Sequence, residues 1–476
     1  MTDPLQRVRE IRRRLDHPVI DSDGHLVEFV PAVRDHVEEL AGREVAAVFD
    51  QYLKTNELAQ RLSRDEQRAR GLFRMTWWGF PARNSRDRAT AMLPGLLHER
   101  LPELGIDFSV LYPTFGLGSV GLPDAELRRA VTRAYNRFFA EAFAPYRDRL
   151  CPVAMIPMHT PEEALAELEH AVQELGLRAV CLAGFVRRPL ERPGAPPAAG
   201  WLDGFGPESP YDYTPVWRRC AELGVAPTFH SSAMGLPNRG SLTSYVYNHL
   251  GNFAAAGELA CRSLLLAGVP LRVPELRFAF LEGGAGWAAS LYADLIGHFE
   301  KRGRRHIHHY DPRAIDRALL ARLFRDYGSE RFRRHEAELE AGVFVLGERA
   351  IGDAEIDEFA ASGIERREDI RDAFSRCFFG CEADDPMNAV AFDRAIHPMG
   401  ARMNALFGSD LGHWDVPEMD GVLPEAFEPV EEGRISESDF RDFVFANPVA
   451  LWGASNPRFF AGSAVEKAAA AELASR

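Results

Sequence analysis

The chain is poor in the features that mark secreted, membrane-spanning and nucleic-acid-binding proteins. Cysteine is scarce, with six in 476 residues; they fall at 151, 181, 220, 261, 377 and 381, none in a CxxC pair. That spacing excludes a disulfide framework and a thiolate zinc ribbon, and a reducing cytoplasm is the expected setting. No run approaches the ~18–20 apolar residues that span a bilayer. The N-terminus MTDPLQRVREIRRRLDHPVID is basic but has no apolar stretch of signal-peptide type behind it. Neither secretion nor membrane insertion is expected. Positive charge is in deficit, 56 Lys and Arg against 70 Asp and Glu, for a net −14. Such a field repels phosphate backbones and anionic membranes, so nucleic acid is not an expected partner.

What is present is the material of a large folded body. Hydrophobic residues make up 46% and charged residues 26%, which excludes a disordered or collagen-like chain and supplies a sizeable core. Short apolar runs ending in polar or glycine-rich residues recur, separated by stretches with helical spacing. Strands are predicted at 19–21, 108–112, 150–156, 177–182, 225–229, 276–281, 376–379 and 404–408. Helices follow most of them. PDAELRRAVTRAYNRFFAEAF comes after the second strand and TPEEALAELEHAVQEL after the third, where Thr160 is the N-cap and Pro161 the first turn. Eight alternations favour an α/β fold of the (β/α)8 barrel type over an open sheet.

Three segments break the repeat and read as insertions, about 31–104, 187–213 and 301–371; they account for the excess over a ~250-residue barrel. The first carries the aromatic cluster FRMTWWGFP. Trp77, Trp78 and Phe80 either pack the insertion onto the barrel or line a substrate pocket, since loops at the C-terminal rim build the site in such barrels. The second is rich in Pro and Gly and is expected to be a long irregular loop. The third contains KRGRRHIHHYD and reads as a solvated basic segment or as a contact for an anionic substrate or a partner subunit. The Ala-rich tail EKAAAAELASR is expected to be a frayed helix.

The chemistry concentrates where strands end. DSDGHLVE at the first strand supplies Asp21, Asp23, His25 and Glu28. Side chains at i and i+2 of an extended segment point the same way, so Asp23 and His25 can meet on one ion in the barrel mouth. His230 follows the fifth strand (PTFHSS), Glu282 the sixth (FLEGG), and Asp410 the eighth (FGSDLGHWD), with His413 nearby. Carboxylates and imidazoles crowded in a partly dry mouth repel or lose charge unless a divalent cation neutralises them. Two nitrogens and two carboxylates from Asp23, His25, His230 and Asp410 suit Zn, Mn, Fe or Co. The competing reading has the histidines as satisfied core residues and Asp410 as a turn cap. Cys377 and Cys381 have no adjacent base or positive charge to activate them and read as small buried residues.

DSDGHLVE, HSS, EGGAGW and GSDLGHWD, with the closing segment FRDFVFANPVALWG and NPRFF, resemble the amidohydrolase superfamily. The similarity is to its amidohydrolase-related branch, which includes aminocarboxymuconate-semialdehyde decarboxylase and hydroxybenzoate decarboxylases. It runs the length of the barrel and leaves the insertions uncovered. It implies a single distorted (β/α)8 barrel domain over 1–476 with one divalent metal at the C-terminal rim, two being conceivable, and a metal-bound water or substrate at the reaction centre. It also implies a homo-oligomer, since relatives are commonly dimers or larger.

Carried over by position, the family's first-strand pair falls on Asp23 and His25, its fifth-strand histidine on His230 and its eighth-strand aspartate on Asp410. Three departures stand out. Asp23 replaces the usual His or Glu; Glu282 occupies the place of an acid–base histidine; and the fourth strand, RAVCLAG, ends without the lysine that bridges two metals in binuclear hydrolases. A second metal would draw on Glu28, Glu282, His298 or His413.

The reading that follows is a metal-dependent hydrolase or decarboxylase of a small carboxylated or cyclic compound. Asp410 or Glu282 serves as acid and base. Arg239, Arg187 or Arg188 forks a substrate carboxylate, while Trp287, Trp414 and His413 wall the site. A carboxylate-rich set of Asp23, Glu28, Glu282 and Asp410 with His25, His230 and His298 equally suits a nonheme di-iron monooxygenase, and a non-catalytic barrel is the third alternative.

Overall fold

The computed structural model describes residues 4–70, 74, 80–81, 83–195, 199–230, 240–339 and 357–476. Its strands are β1 (Ile20–Leu26), β2 (Phe108–Pro113), β3 (Leu150–Ile156), β4 (Ala179–Leu182), β5 (Val186–Pro189), β6 (Gly200–Asp203), β7 (Pro227–Phe229), β8 (Phe278–Phe280), β9 (Cys377–Glu382) and β10 (Asn404–Gly408). Eight of them form one parallel sheet in the order β1-β2-β3-β4-β7-β8-β9-β10. The two ends meet where the Asp410 N–H donates to the Asp23 carbonyl at 3.1 Å and the Ser409 N–H to Asp21 Oδ1 at 2.9 Å. This is the (β/α)8 barrel that the alternation predicts. Its strands are buried on both faces because helices cover the outside, so they read as apolar runs rather than alternating ones.

The crossover helices start where the caps predict. Asp124 accepts from Leu127 N–H to open helix Ala125–Ala142. Thr160 accepts from Glu163 N–H at 3.2 Å to open helix Pro161–Glu169. The helix Gly286–Arg302 leads away from β8.

Four expectations change. The first strand runs on to Leu26 and the seventh to Glu382, because their polar residues face the barrel mouth and leave the ladder intact. The segment 187–213 is no irregular loop throughout: β5 and β6 pair antiparallel, Val186 opposite Asp203. There Arg188 donates to Asp203 Oδ2 at 2.9 and 2.7 Å, to the His159 carbonyl at 2.7 Å and to Tyr213 Oη at 2.9 Å; it staples the hairpin. The tail helix Glu466–Ala474 is held rather than frayed, with Ala469 buried and Glu472 paired to Arg441 and Arg476.

In the first insertion, helix Val30–Arg61 kinks at Gly42, whose φ is 83°. Phe80 packs edge-on against Phe115 at 5.8 Å and lies under Arg88. All six cysteines are free and buried, and no helix among the described residues is long and apolar enough to cross a membrane.

Candidate metal centre

The first barrel strand carries more of the site than its length suggests. Asp21 is a buried cross-tie. It accepts from Ser109 Oγ at 2.6 Å, Ser409 Oγ at 2.7 Å, Ser409 N–H and the Asp23 N–H at 3.2 Å, so β1 is sewn to β2 and to the end of β10. The register slips between Asp21 and Gly24. A Cβ on Gly24 would stand 2.4 Å from Asp21 Oδ2 and 2.5 Å from Ser109 Oγ; only glycine lets the cross-tie pass. Beyond this bulge Asp23 and His25 both turn into the mouth, Asp23 Oδ1 lying 3.7 Å from His25 Nε2.

His230 is the residue after β7. Its ring stacks on Tyr112 at 5.6 Å, and Tyr112 Oη is anchored by donating to Thr228 Oγ1 at 2.8 Å. Glu282 and Asp410 each stand two residues past their strands with left-handed backbone, φ 56° and 47°. That conformation costs a non-glycine residue ~1–2 kcal/mol, and here it swings both carboxylates back over the barrel axis.

The donors converge closely. His230 Nε2 lies 3.1 Å from His25 Nε2 and 2.5 Å from Glu282 Oε2. His25 Nε2 is 3.4 Å from Asp410 Oδ1 and 3.7 Å from Glu282 Oε2. His413 joins them, its ring 3.9 Å from that of His25 and its Nδ1 2.5 Å from Asp410 Oδ1. Two overlapping sets have ligand atoms all within 4.8 Å of one another: Asp23, His25, His230 and Glu282, and His25, Glu282, Asp410 and His413.

The tautomer of His413 follows from its neighbour. Thr114 Oγ1 donates its one proton to the Leu26 carbonyl at 2.8 Å, so at 3.0 Å it accepts from His413 Nε2. The His413 lone pair at Nδ1 therefore faces a carboxylate oxygen.

Burial, and then neighbouring carboxylates, push Glu282 and Asp410 well above the usual carboxyl range. Asp23 is raised by burial as well, although His230 pulls against it. Burial and the adjacent imidazoles hold His25 and His413 far below the usual histidine value, and burial lowers His230. Among the described residues, Asp23 Oδ1 and Glu282 Oε2 are buried without a hydrogen-bond partner. Lone pairs crowded together, with neutral imidazoles and orphaned carboxylate oxygens, are what a divalent cation satisfies. The 3.1 Å between two imidazole nitrogens is also the spacing of ligands sharing one ion at ~2.0–2.1 Å each. The residues fit a divalent metal.

Other sequence candidates stand apart. Glu28 accepts from the N–H groups of Thr114, Phe115 and Gly116 at 3.1, 3.0 and 2.8 Å; it shapes the loop after β2, its lone pairs already taken. His298 is three turns along its helix, with Nδ1 on the Asp294 carbonyl at 2.7 Å. It shares with Trp287 a groove of about 490 Å3 on the outer helical layer, and Trp287 packs behind the strands on Phe280 and Phe379. Helical rise carries His298 away from the mouth. Trp77, Trp78 and Arg239 lie outside the described residues. Trp414 meets His249 edge-on at 5.2 Å, and His249 meets Phe253, which abuts His230; these three wall the centre.

Sequence reasoning misses Glu382 and Asp415. Glu382 ends β9 opposite Gly408, pushed up to about 9 by burial and by Glu282, and Asp415 raises Asp410 and Glu282. Continuing the seventh strand through GCE would have found the first.

No curated protein matches the chain significantly. Among solved structures, an amidohydrolase from Mycobacterium avium subsp. paratuberculosis K-10 is similar at 17% identity and TM-score 0.52, over 92% of this chain and 98% of that one. A 2,6-dihydroxybenzoate decarboxylase from Rhizobium aligns at 15% identity and TM-score 0.44, over 92% and 98%. A dihydroxybenzoic acid decarboxylase from Polaromonas sp. JS666, solved with bound manganese and 2-nitroresorcinol, aligns at 15% and 0.43, over 93% and 99%. The first of these shows the barrel fold. The amidohydrolase family pattern matches residues 20–332, a span that includes Asp23, His25, His230 and Glu282, and the chain belongs to the amidohydrolase family.

Proposed function

We propose that this single barrel domain is a metal-dependent hydrolase or decarboxylase of a small carboxylated or cyclic organic compound. The observation that carries it is the buried convergence of Asp23, Glu282 and Asp410 with His25, His230 and His413 at the C-terminal strand ends. Asp23, His25, His230 and Asp410 are the ligand set, and the cation supplies a Lewis acid that polarises the substrate and lowers the pKa of water. Glu282 takes a proton from water or a substrate hydroxyl and passes it to the leaving group, or to the carbon that loses carbon dioxide. Asp410, with His413 Nδ1 2.5 Å away, receives the proton in the reverse sense. Trp414, His249 and Phe253 exclude water from one side. A cytoplasmic location accords with six free cysteines.

The test is elemental analysis of protein purified without added metal, followed by assays of aromatic carboxylates for carbon dioxide release and of cyclic amides and lactones for hydrolysis. About one zinc or manganese per chain, with turnover lost on chelation and regained on reloading, is the expected result; a chain that takes up no metal on titration refutes it. The two overlapping donor sets, sharing His25 and Glu282, favour one second reading, a nonheme di-iron monooxygenase whose ions these residues would hold. Close to two irons per chain and oxygen consumption would establish it instead.

A further inference from the structure

The segment 301–335 carries charge opposite to the rest of the molecule. It holds eleven Lys and Arg against four Asp and Glu. That is +7 within a chain of −14, so the remainder carries −21. It leaves the barrel behind helix Gly286–Arg302 as a 3-10 turn, Arg304–Tyr310, followed by helix Arg317–Tyr327 and the short turns Glu330–Arg333 and Glu336–Glu338. Asp316 caps the helix by accepting from Leu319 N–H at 2.8 Å.

The apolar residues of that helix divide between two rows. Phe324 turns to Phe332, edge-on at 6.0 Å. Leu319, Leu323 and Tyr327, at i, i+4 and i+8, form a second row that is 39, 40 and 85% exposed, and no residue of the helix is buried. A helix of eleven residues draws its stability from covering an apolar face, and among the described residues this one's row stays partly uncovered.

We propose that the arm 301–335 is a subunit-docking element whose occupant is a second copy of this chain. Its counterpart is an acidic patch beside the barrel mouth, formed by Asp384, Glu418, Glu425 and Glu428. All four are exposed, and burial with Asp384 and Glu428 raises Glu425. Among the described residues none of the four forms an ion pair, and Met387, 50% exposed beside Asp384, offers the apolar row a partner. Arg322, Arg331, Arg333 and Arg334 are exposed on the arm and complement that patch. A basic amphipathic helix also suits an anionic membrane, but the −21 of the body repels such a surface and attracts only the arm. In a two-fold dimer each copy gives one arm and receives one.

The experiment is sedimentation velocity of the full chain at low and high salt, with two variants whose altered residues are exposed: Leu323→Asp on the arm and Glu425→Arg on the patch. Wild type is expected to dimerise, with about tenfold weaker association in high salt. Each variant is expected to weaken the dimer at least about tenfold with unchanged circular dichroism, and an equimolar mixture of the two to recover association, since one intact arm then meets one intact patch. A wild-type monomer at about 100 µM in low salt, or an oligomer indifferent to both variants, overturns the proposal. Pelleting of monomers with phosphatidylserine vesicles, abolished by Leu323→Asp, overturns it in favour of lipid.

Discussion

Glu282 lies within 4.8 Å of ligand oxygens on both Asp23 and Asp410, since it belongs to both donor sets. At an effective dielectric of ~20, two unit charges that far apart repel by ~3.5 kcal/mol. Ionising Glu282 beside charged neighbours is therefore costly, and its carboxyl stands well above the usual range. Burial is the larger cause in the same direction, and it also works against a proton on His25, His230 or His413 that would offset the charge. A divalent cation in the cluster offsets that repulsion, so binding it is expected to draw a proton off Glu282. Titration of metal-free protein with manganese or zinc by calorimetry, in two buffers of different ionisation heat, should show net proton release at pH 7. Glu282→Gln should release about one fewer. Equal proton counts in wild type and variant would refute the electrostatic account of the centre.

Asp21→Ala strands the hydroxyls of Ser109 and Ser409 and two backbone N–H groups. It should lower stability by about 3–5 kcal/mol, seen as a fall in Tm; an unchanged Tm would show that the barrel closes without the cross-tie. Burial pushes Glu28 from 4.5 up to about 7. Because the folded value is the higher one, the stabilisation is whole below pH ~4.5 and is lost as pH rises through ~7, up to about 3 kcal/mol in all. The Tm of wild type should therefore fall relative to Glu28→Gln across that window in metal-saturated protein; a flat difference would be the contrary result. His230→Ala should lose metal while His298→Ala retains it, and elemental analysis of the two side by side decides whether His298 has any part in the centre.

The barrel was legible in the chain because its signal is local. Runs such as LCPVAMI and NALFG are buried on both faces and leave little else for a strand to be. Thr160 with Pro161 marked a helix start through one side-chain bond. Asp23, His25, His230, Glu282 and Asp410 could be placed because each falls at or just past the end of a short apolar run, and strand ends of a barrel share one rim. Resemblance pointed to the same five positions.

What the chain alone could not decide are matters of direction and distance. Glu28 and His298 are ligand types near the motifs, yet three backbone donors take Glu28, and helical rise removes His298 from the mouth. His413, read as a wall of the site or as a ligand to a second metal, enters the cluster because the left-handed backbone at Asp410 folds the next turn back over His25. Glu382 escaped notice because its strand is two to three residues longer than its apolar run. Local sequence determines which segments are strands and which residues end them, since burial and hydrogen-bond periodicity act within a few residues. Which of those residues face one another, and so whether their lone pairs need a cation, depends on the register and bulges by which strands distant in sequence close the barrel.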